Sequence, residues 1–168
     1  MRVTTAAQAA AELQFENLDR AFEVHCVDGS LVAKSYLLPL LSKAQTILAR
    51  RLSRALLARG ESWLQITCWN SDSDSNLEMF YGYRKGRGEA RELVEASVHR
   101  FSPDEIEEMA SILGMVFYFL WDARIFGRDQ TYQVLTSNDE IIDYATCSHP
   151  LSLELEREFS HLGMNAAK

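Results

Sequence analysis

The chain has 168 residues, 47% hydrophobic and 24% charged, which are ordinary values for a globular protein and exclude a disordered or fibrous chain. A chain of this length forms one domain rather than two, so we predict a single domain over residues 1–168. The net charge of -7 argues against nucleic acid as the principal partner, because its binding depends on clustered lysines and arginines.

The charge is distributed unevenly. Residues 31–60 contain basic side chains and no acidic one, whereas acidic residues outnumber basic ones in the stretch from residue 102 to the end. An asymmetry of this kind bears on which partners a protein attracts, not on its fold.

The cysteines and the apolar runs bear on the cellular compartment in which the protein resides. Cys26, Cys68 and Cys147 are too few and too scattered for a disulfide framework. The first residues lack the charged-then-apolar build of a signal peptide. The longest apolar run, residues 115–121, is far shorter than the roughly 20 residues of a membrane helix. We therefore expect a soluble protein of the reducing cytoplasm that does not bind membranes.

The first part of the chain contains three segments with helix or strand periodicity. In chain order they predict a peripheral helix over residues 5–20, a hairpin of strands 22–26 and 30–37 turned by Asp28-Gly29, and a helix over residues 40–59. Pro39 suits the start of the last helix and Gly60 its end.

The central part is rich in residues that favour strands. It predicts a three-strand meander over residues 62–69, 77–84 and 90–101, with a polar loop over residues 70–76. Leu93, Ala96 and Val98 also permit a helix in the third segment, so that assignment stays open.

The last part of the chain alternates between helical and strand periodicity. It predicts a helix over residues 103–117, strands through residues 123–126 and 132–135, a short helix from residue 137 or 138 through Tyr144, a short helix over residues 152–161, and a loose tail over residues 163–168. Ser102, Pro103 and Glu105 form the capping-box start of the first of these helices.

Together these elements predict an α+β fold. We expect a mostly antiparallel sheet, with the two main helices packed on one face and short helices at the N- and C-terminal ends. The basic side of helix 40–59 fits a membrane or nucleic-acid surface, but arginines paired with acids elsewhere in the protein explain it better.

No motif predicts a catalytic, cofactor or metal site. Asp72, Asp74 and Asn76 match the opening of a calcium loop, but Leu77 and Tyr83 replace the required Gly and Glu, which favours a solvated loop. The histidines and cysteines lack zinc spacing, and neither a nucleophile elbow nor a phosphate loop is present. We therefore predict a protein that is not an enzyme.

The surplus of acidic residues is the sequence feature that bears on function. Carboxylates cluster at the start of helix 103–117, after residue 138 and in the last helix, near several aromatic residues. Complementary charge accelerates protein association, and buried aromatic side chains supply affinity. The residues that we predict to bind a basic protein partner are Trp69, Asp72, Asp74, Asp104, Glu105, Glu108, Asp139, Glu140 and Asp143.

The segment from Phe119 to Ile142 carries a resemblance. Its strand with Trp121-Asp122, its short polar hairpin and the run from Ser137 to Ile142 resemble segments of small bacterial immunity-type proteins, which neutralise a toxin by binding it. The resemblance implies an inhibitor that masks a basic toxin, and it assigns no individual residue.

Two other functions remain open. An enzyme of unrecognised type requires a pocket in which a carboxylate or histidine has a strongly shifted pKa. An oligomeric scaffold requires the apolar residues 115–126 to form a contact between subunits.

Overall fold

The structure is a computed structural model that describes residues 1–19, 23–26, 30–69 and 74–167, without the side chains of residues 74 and 75. The helices are α1 (Ala6–Leu13), α2 (Ser42–Leu57), α3 (Asp74–Gly86), α4 (Ile106–Phe119) and α5 (His149–His161). The strands are β1 (Arg2–Thr4), β2 (Val32–Leu37), β3 (Ser62–Cys68), β4 (Val98–Phe101), β5 (Asp122–Gly127), β6 (Tyr132–Ser137) and β7 (Ile141–Thr146).

The strands form one sheet of seven in the order β1-β4-β3-β5-β6-β7-β2, and every neighbouring pair is antiparallel. The register places the β6–β7 turn, the end of β2 and the start of β5 at one end of the sheet, which we call the apical end. The β5–β6 turn and the start of β2 lie at the opposite, basal end. The fold is α+β with a mostly antiparallel sheet, as predicted.

Helices α2, α4 and α5 cover one face of this sheet. Their apolar stripes meet the inward residues of the strands in one cluster, whose central members include Leu48, Leu52, Leu113, Val116 and Ile125. Alternate residues of each strand point to the same face, so Leu64 and Ile125 lie in this core while their neighbours Trp63 and Phe126 do not.

The opposite face is partly covered by α1. Ala9, Ala10 and Leu18 pack there on Trp63 and Phe126 of the sheet. Thr5 and Gln8 form a reciprocal capping box at the start of α1, and Gln14, with a φ of 63°, ends the helix. The predicted peripheral helix therefore exists but is shorter than residues 5–20.

Of the strands predicted in the central part, one is a helix in the structure and another is shorter than predicted. Residues 77–84 belong to α3, because Phe80 and Arg84 at helical spacing are fully buried, whereas the alternating Met79 is exposed. Only residues 98–101 of the segment 90–101 pair as a strand, and Val98 pairs with Gln65 of β3. The predicted meander is wrong, because β5 rather than residues 77–84 lies beside β3.

Another error concerns residues 137–144. We predicted a short helix there, but Ile141–Thr146 form β7, in which Ile142, Tyr144 and Thr146 alternate into the core. This strand is also the partner of β2. Residues 23–26 do not form a strand, and Phe22 and the predicted turn Asp28-Gly29 lie outside the described residues.

The remaining boundaries differ by about a turn. α2 begins at Ser42 rather than beside Pro39, and α5 begins at His149 with Ser148 as its N-cap. Helix α4 begins at Ile106, where Glu105 turns back to accept the backbone N–H of Ser102 at 2.9 Å. Ser102 is therefore not the N-cap, and this contact reproduces only the carboxylate half of the predicted capping box, outside the regular helix.

Cysteine pairing departs from the prediction. Cys26 and Cys147 form a disulfide that links segment 23–26 to the connection between β7 and α5, with 5.5 Å between the Cα atoms. Cys68 is a free, exposed thiol. The scattered cysteines misled us because sequence spacing does not show which residues the sheet brings together.

The end of the chain is also better ordered than predicted. Instead of a loose tail, residues 165–167 lie along the outer edge of β2: Leu37 N–H donates to Asn165, and Ala167 N–H donates to Ser35. This contact covers an edge strand that would otherwise present unpaired backbone groups. No helix in the described part of the chain is long and apolar enough to cross a membrane.

Candidate functional site

The carboxylates at the start of α4 are engaged by the protein itself. Glu105 accepts hydrogen bonds from Ser102 and pairs with the N-terminal amine of Met1. Glu108 pairs with Arg87 at 2.8 Å, and that hydrogen bond lowers the pKa of the Glu108 carboxyl. Asp104 is exposed. Glu105 and Glu108 are therefore satisfied within the fold, contrary to the prediction that they serve a partner.

The carboxylates of α5 are likewise paired. Glu154 contacts Arg59 at 3.4 Å, Glu156 contacts Lys34 at 2.8 Å, and Glu158 contacts Arg51 at 2.6 Å. Arg50 of α2 pairs in the same way with Glu107 of α4. Arg50 and Arg51 of α2 therefore meet acidic residues of their own fold, whereas Lys43 and Arg54 are exposed and form no ion pair within the described residues.

The third acidic cluster remains available. Asp139 is exposed at the tip of the β6–β7 turn, Glu140 follows it half-buried, and Asp143 lies half-buried on β7 beside Ser35 of β2. Within the described residues none of these three carboxylates forms an ion pair. That they meet an external positive charge stays a prediction.

The other predicted residues are dispersed. Trp69 follows β3 at the apical end, where it packs partly buried against the main core. Asp74 begins α3, and Asp72 lies outside the described residues. Asp104, Glu105 and Glu108 lie near the basal end. They follow the end of β4, which pairs with the start of β3 at that end of the sheet. The structure therefore does not bring the described members of this set into one surface.

Sequence analysis missed the exposed apolar residues beside the acidic turn. Leu40 is 77% exposed, Leu41 74% and Tyr118 62%, and Leu37 at the end of β2 is exposed as well. The predicted helix over residues 40–59 includes Leu40 and Leu41, but both precede α2, which begins at Ser42. No sequence signal distinguished them, because Pro39 fits a helix start that would include both leucines.

These residues line two adjoining concavities that we call the apical groove. The larger, about 390 Å³, lies between residues 37–41 and residues 162–165. The smaller, about 190 Å³, lies between Leu40 and the end of α4, at Tyr118 and Leu120. Glu140 lines both of them. A groove with exposed apolar walls and a carboxylate is an arrangement that can bind an apolar ligand.

Backbone hydrogen bonds fix the walls of the groove. The carbonyl of Glu140 accepts the N–H of Leu38 at 2.7 Å, which ties the β6–β7 turn to the β2–α2 loop. Asp122 accepts the N–H of Asn138 at 2.8 Å and ties the same turn to β5. The N–H of Met164 donates to Phe159 and closes the end of α5. The groove is therefore formed before any ligand arrives.

The strongest pKa shifts lie elsewhere. The guanidinium of Arg91 holds the pKa of Glu89 at about 2. Burial and the nearby charge of Arg84 lower the pKa of His99 to about 3. Neither residue lines the apical groove, and the described residues contain no group of three side chains that could hold a metal ion.

Comparison with protein-family models, with curated proteins and with solved structures finds no match to this chain. The functional argument therefore depends on the geometry of the apical groove.

Proposed function

We propose that this protein is a non-enzymatic binding domain, an inhibitor of the immunity type that masks a basic toxin with its apical groove. The observation that carries the proposal is that exposed leucines line a groove together with Glu140, a carboxylate that forms no ion pair within the described residues. Carboxylates at the start of α4 and along α5 are satisfied internally, so the groove and its acidic turn remain for a partner.

Both components of the surface contribute to such binding. Leu40 and Leu41 supply apolar area, which provides most of the affinity when it is buried at an interface. Asp139 and Glu140 supply a negative potential that accelerates encounter with a basic protein and opposes the approach of nucleic acid. Together they favour a protein partner.

The scaffold alternative has less support. Val116, Phe117, Trp121, Ala123, Ile125 and Phe126 are all buried within this chain. Most of the apolar stretch 115–126 is therefore used by the protein's own core and is not available for a contact between subunits.

The decisive experiment combines capture with protection. The tagged protein is expressed with the product of the neighbouring gene in the native genome, and both co-purification and rescue of growth are measured. We expect an equimolar complex and rescue by the wild type, and loss of both in the double variant Leu40→Asp with Leu41→Asp.

The variants are chosen to leave the fold intact. Leu41 is the N-cap of α2 and makes no side-chain capping bond, so aspartate there favours the helix. Leu153→Asp on α5 is the matched control, because Leu153 is 54% exposed and lines neither concavity of the groove. Equal capture and rescue by the double variant would overturn the proposal, as would turnover of a small substrate by the uncomplexed protein.

A cytoplasmic location belongs to the same proposal and has its own test. Disulfides are typical of oxidising compartments, so the state of Cys26 and Cys147 in native cells reports the location. Free thiols at both positions, trapped by alkylation at the moment of lysis, support the cytoplasm. A disulfide trapped under the same conditions refutes it.

A further inference from the structure

The two concavities of the apical groove meet at one charged residue. They share Leu38, Pro39, Leu40 and Glu140, while Met164 lines only the larger and Tyr118 only the smaller. A ligand that fills both concavities therefore passes Glu140 between its two apolar contacts.

The charge at this junction is uncompensated in the described structure. Glu140 has no cationic partner within the described residues, and no lysine or arginine lines either concavity. Asp139 adds a second negative charge beside it. Because Glu140 is half-buried, an approaching cation is partly removed from water there, which strengthens its attraction to the carboxylate.

The concavities differ in size. The larger, at about 390 Å³, suits a large aliphatic or aromatic side chain, and the smaller, at about 190 Å³, suits a shorter one. Apolar anchors in preformed pockets with a charge between them define the order of residues in a bound segment.

We propose that the apical groove binds one short segment of the partner, in which a lysine or arginine lies between two apolar anchor residues. This inference rests on the proposed function and adds the recognition motif. The anchors enter the two concavities, and the basic side chain pairs with the carboxylate of Glu140.

Synthetic peptide arrays test the motif. One array carries a leucine and a phenylalanine at varied spacing on either side of a central lysine, and a matched array has glutamate at the centre. Binding to the purified protein is measured by fluorescence anisotropy. We expect lysine-centred peptides to bind at least about fivefold more tightly than their glutamate-centred counterparts.

A charge exchange identifies the residue responsible. Glu140 has a φ of 61°, and Glu140→Lys preserves the Cβ atom, so the backbone of the turn is unchanged. This variant should prefer the glutamate-centred peptides. Glu16→Lys changes the net charge equally at an exposed site beside α1 and should retain the wild-type preference.

The outcomes separate this inference from the proposed function. Absence of peptide binding, or an unchanged preference in Glu140→Lys, overturns the motif even if the double leucine variant still loses the whole partner. A dimer in sedimentation that Leu40→Asp dissociates overturns it as well, because the groove then binds a second copy. Reversal of the preference by Glu140→Lys alone supports it.

Discussion

Arg84 and His99 are ionisable and fully buried, and both lie against the ring of Phe80. Arg84 donates one hydrogen bond to the carbonyl of Ala96 at 2.8 Å. Its other guanidinium nitrogens and both ring nitrogens of His99 have no hydrogen-bond partner among the described residues. Burial of a charge away from water is costly and the charge of Arg84 repels a second cation, so a proton added to His99 is strongly disfavoured.

Because His99 is hard to protonate in the folded state, we predict that the protein loses stability in mild acid. Burial and the charge of Arg84 lower its pKa from the ordinary 6.5 to about 3, so the unfolded chain binds the proton more readily than the folded one. Stability from this group is complete above pH 6.5 and falls as the pH decreases from there towards 3. The expected slope is ~1.4 kcal/mol per pH unit, measured by urea unfolding.

The contribution of His99 is isolated by comparison with His99→Phe, which places a ring that does not titrate beside Phe80. The variant should have a shallower pH dependence than the wild type. Titration of the histidine ring by NMR in the wild type provides a reading that needs no variant. A pKa near 6.5 for His99, or parallel pH profiles of the two proteins, would contradict the prediction.

At the scale of elements, two glycines show how local packing differs between a hairpin and a helix. A Cβ atom on Gly127, at the end of β5, would lie 2.7 Å from the Tyr132 ring, which is itself held by a 2.6 Å hydrogen bond to Ser62. A Cβ atom on Gly82 in α3 would meet nothing within 4 Å. The same substitution should therefore have opposite effects at the two sites.

Gly127→Ala should lower the free energy of unfolding by roughly 1–3 kcal/mol, because the Tyr132 ring must shift in a filled core. Gly82→Ala should raise it by up to about 1 kcal/mol, since alanine is the better residue inside a helix. Chemical denaturation measures both. Destabilisation by Gly82→Ala would contradict the assignment of residues 74–86 to a helix.

The elements that sequence predicted well are those whose periodicity is unambiguous. α2, α4, α5, β3 and β5 have apolar residues at one clear spacing and were placed within about a turn. The predictions for α3 and β7 were wrong because their sequence patterns fit both a helix and a strand. In α3, for example, Leu77, Met79, Tyr81 and Tyr83 alternate, yet Leu77, Phe80, Tyr81 and Arg84 also fall on one helical face. Packing decided between them.

At the scale of the whole molecule, the disulfide joins residues 121 positions apart. A crosslink over so long a loop removes much conformational freedom from the unfolded chain. Cys26→Ser should therefore lower the free energy of unfolding by ~2–5 kcal/mol relative to the oxidised wild type. Reducing agent should destabilise the wild type to the same extent.

The control for this prediction is Cys68→Ser, which removes the free thiol and leaves the disulfide intact. It should unfold like the wild type with and without reducing agent. Calorimetric scans of the three proteins measure the difference. Identical unfolding of Cys26→Ser and the oxidised wild type would show that the crosslink contributes nothing to stability.

The candidate site was only partly predictable. Asp139, Glu140 and Asp143 were identified as available carboxylates, because an acidic cluster is visible in the sequence. The leucines of the groove were missed, since composition does not distinguish an apolar residue that is buried from one left exposed beyond a helix start. Glu105 and Glu108 were misinterpreted because their cationic partners, Met1 and Arg87, are distant in sequence from the acidic cluster.

The sequence by itself determined the α+β class, most helix and strand positions and the acidic surplus, because periodicity and composition are local properties. Only the tertiary structure decided which carboxylates are neutralised, which cysteines meet and which leucines remain exposed. The physical reason is that ion pairs, a disulfide and a groove depend on distances between residues that lie far apart along the chain. Those distances are set by the order in which the strands assemble into the sheet.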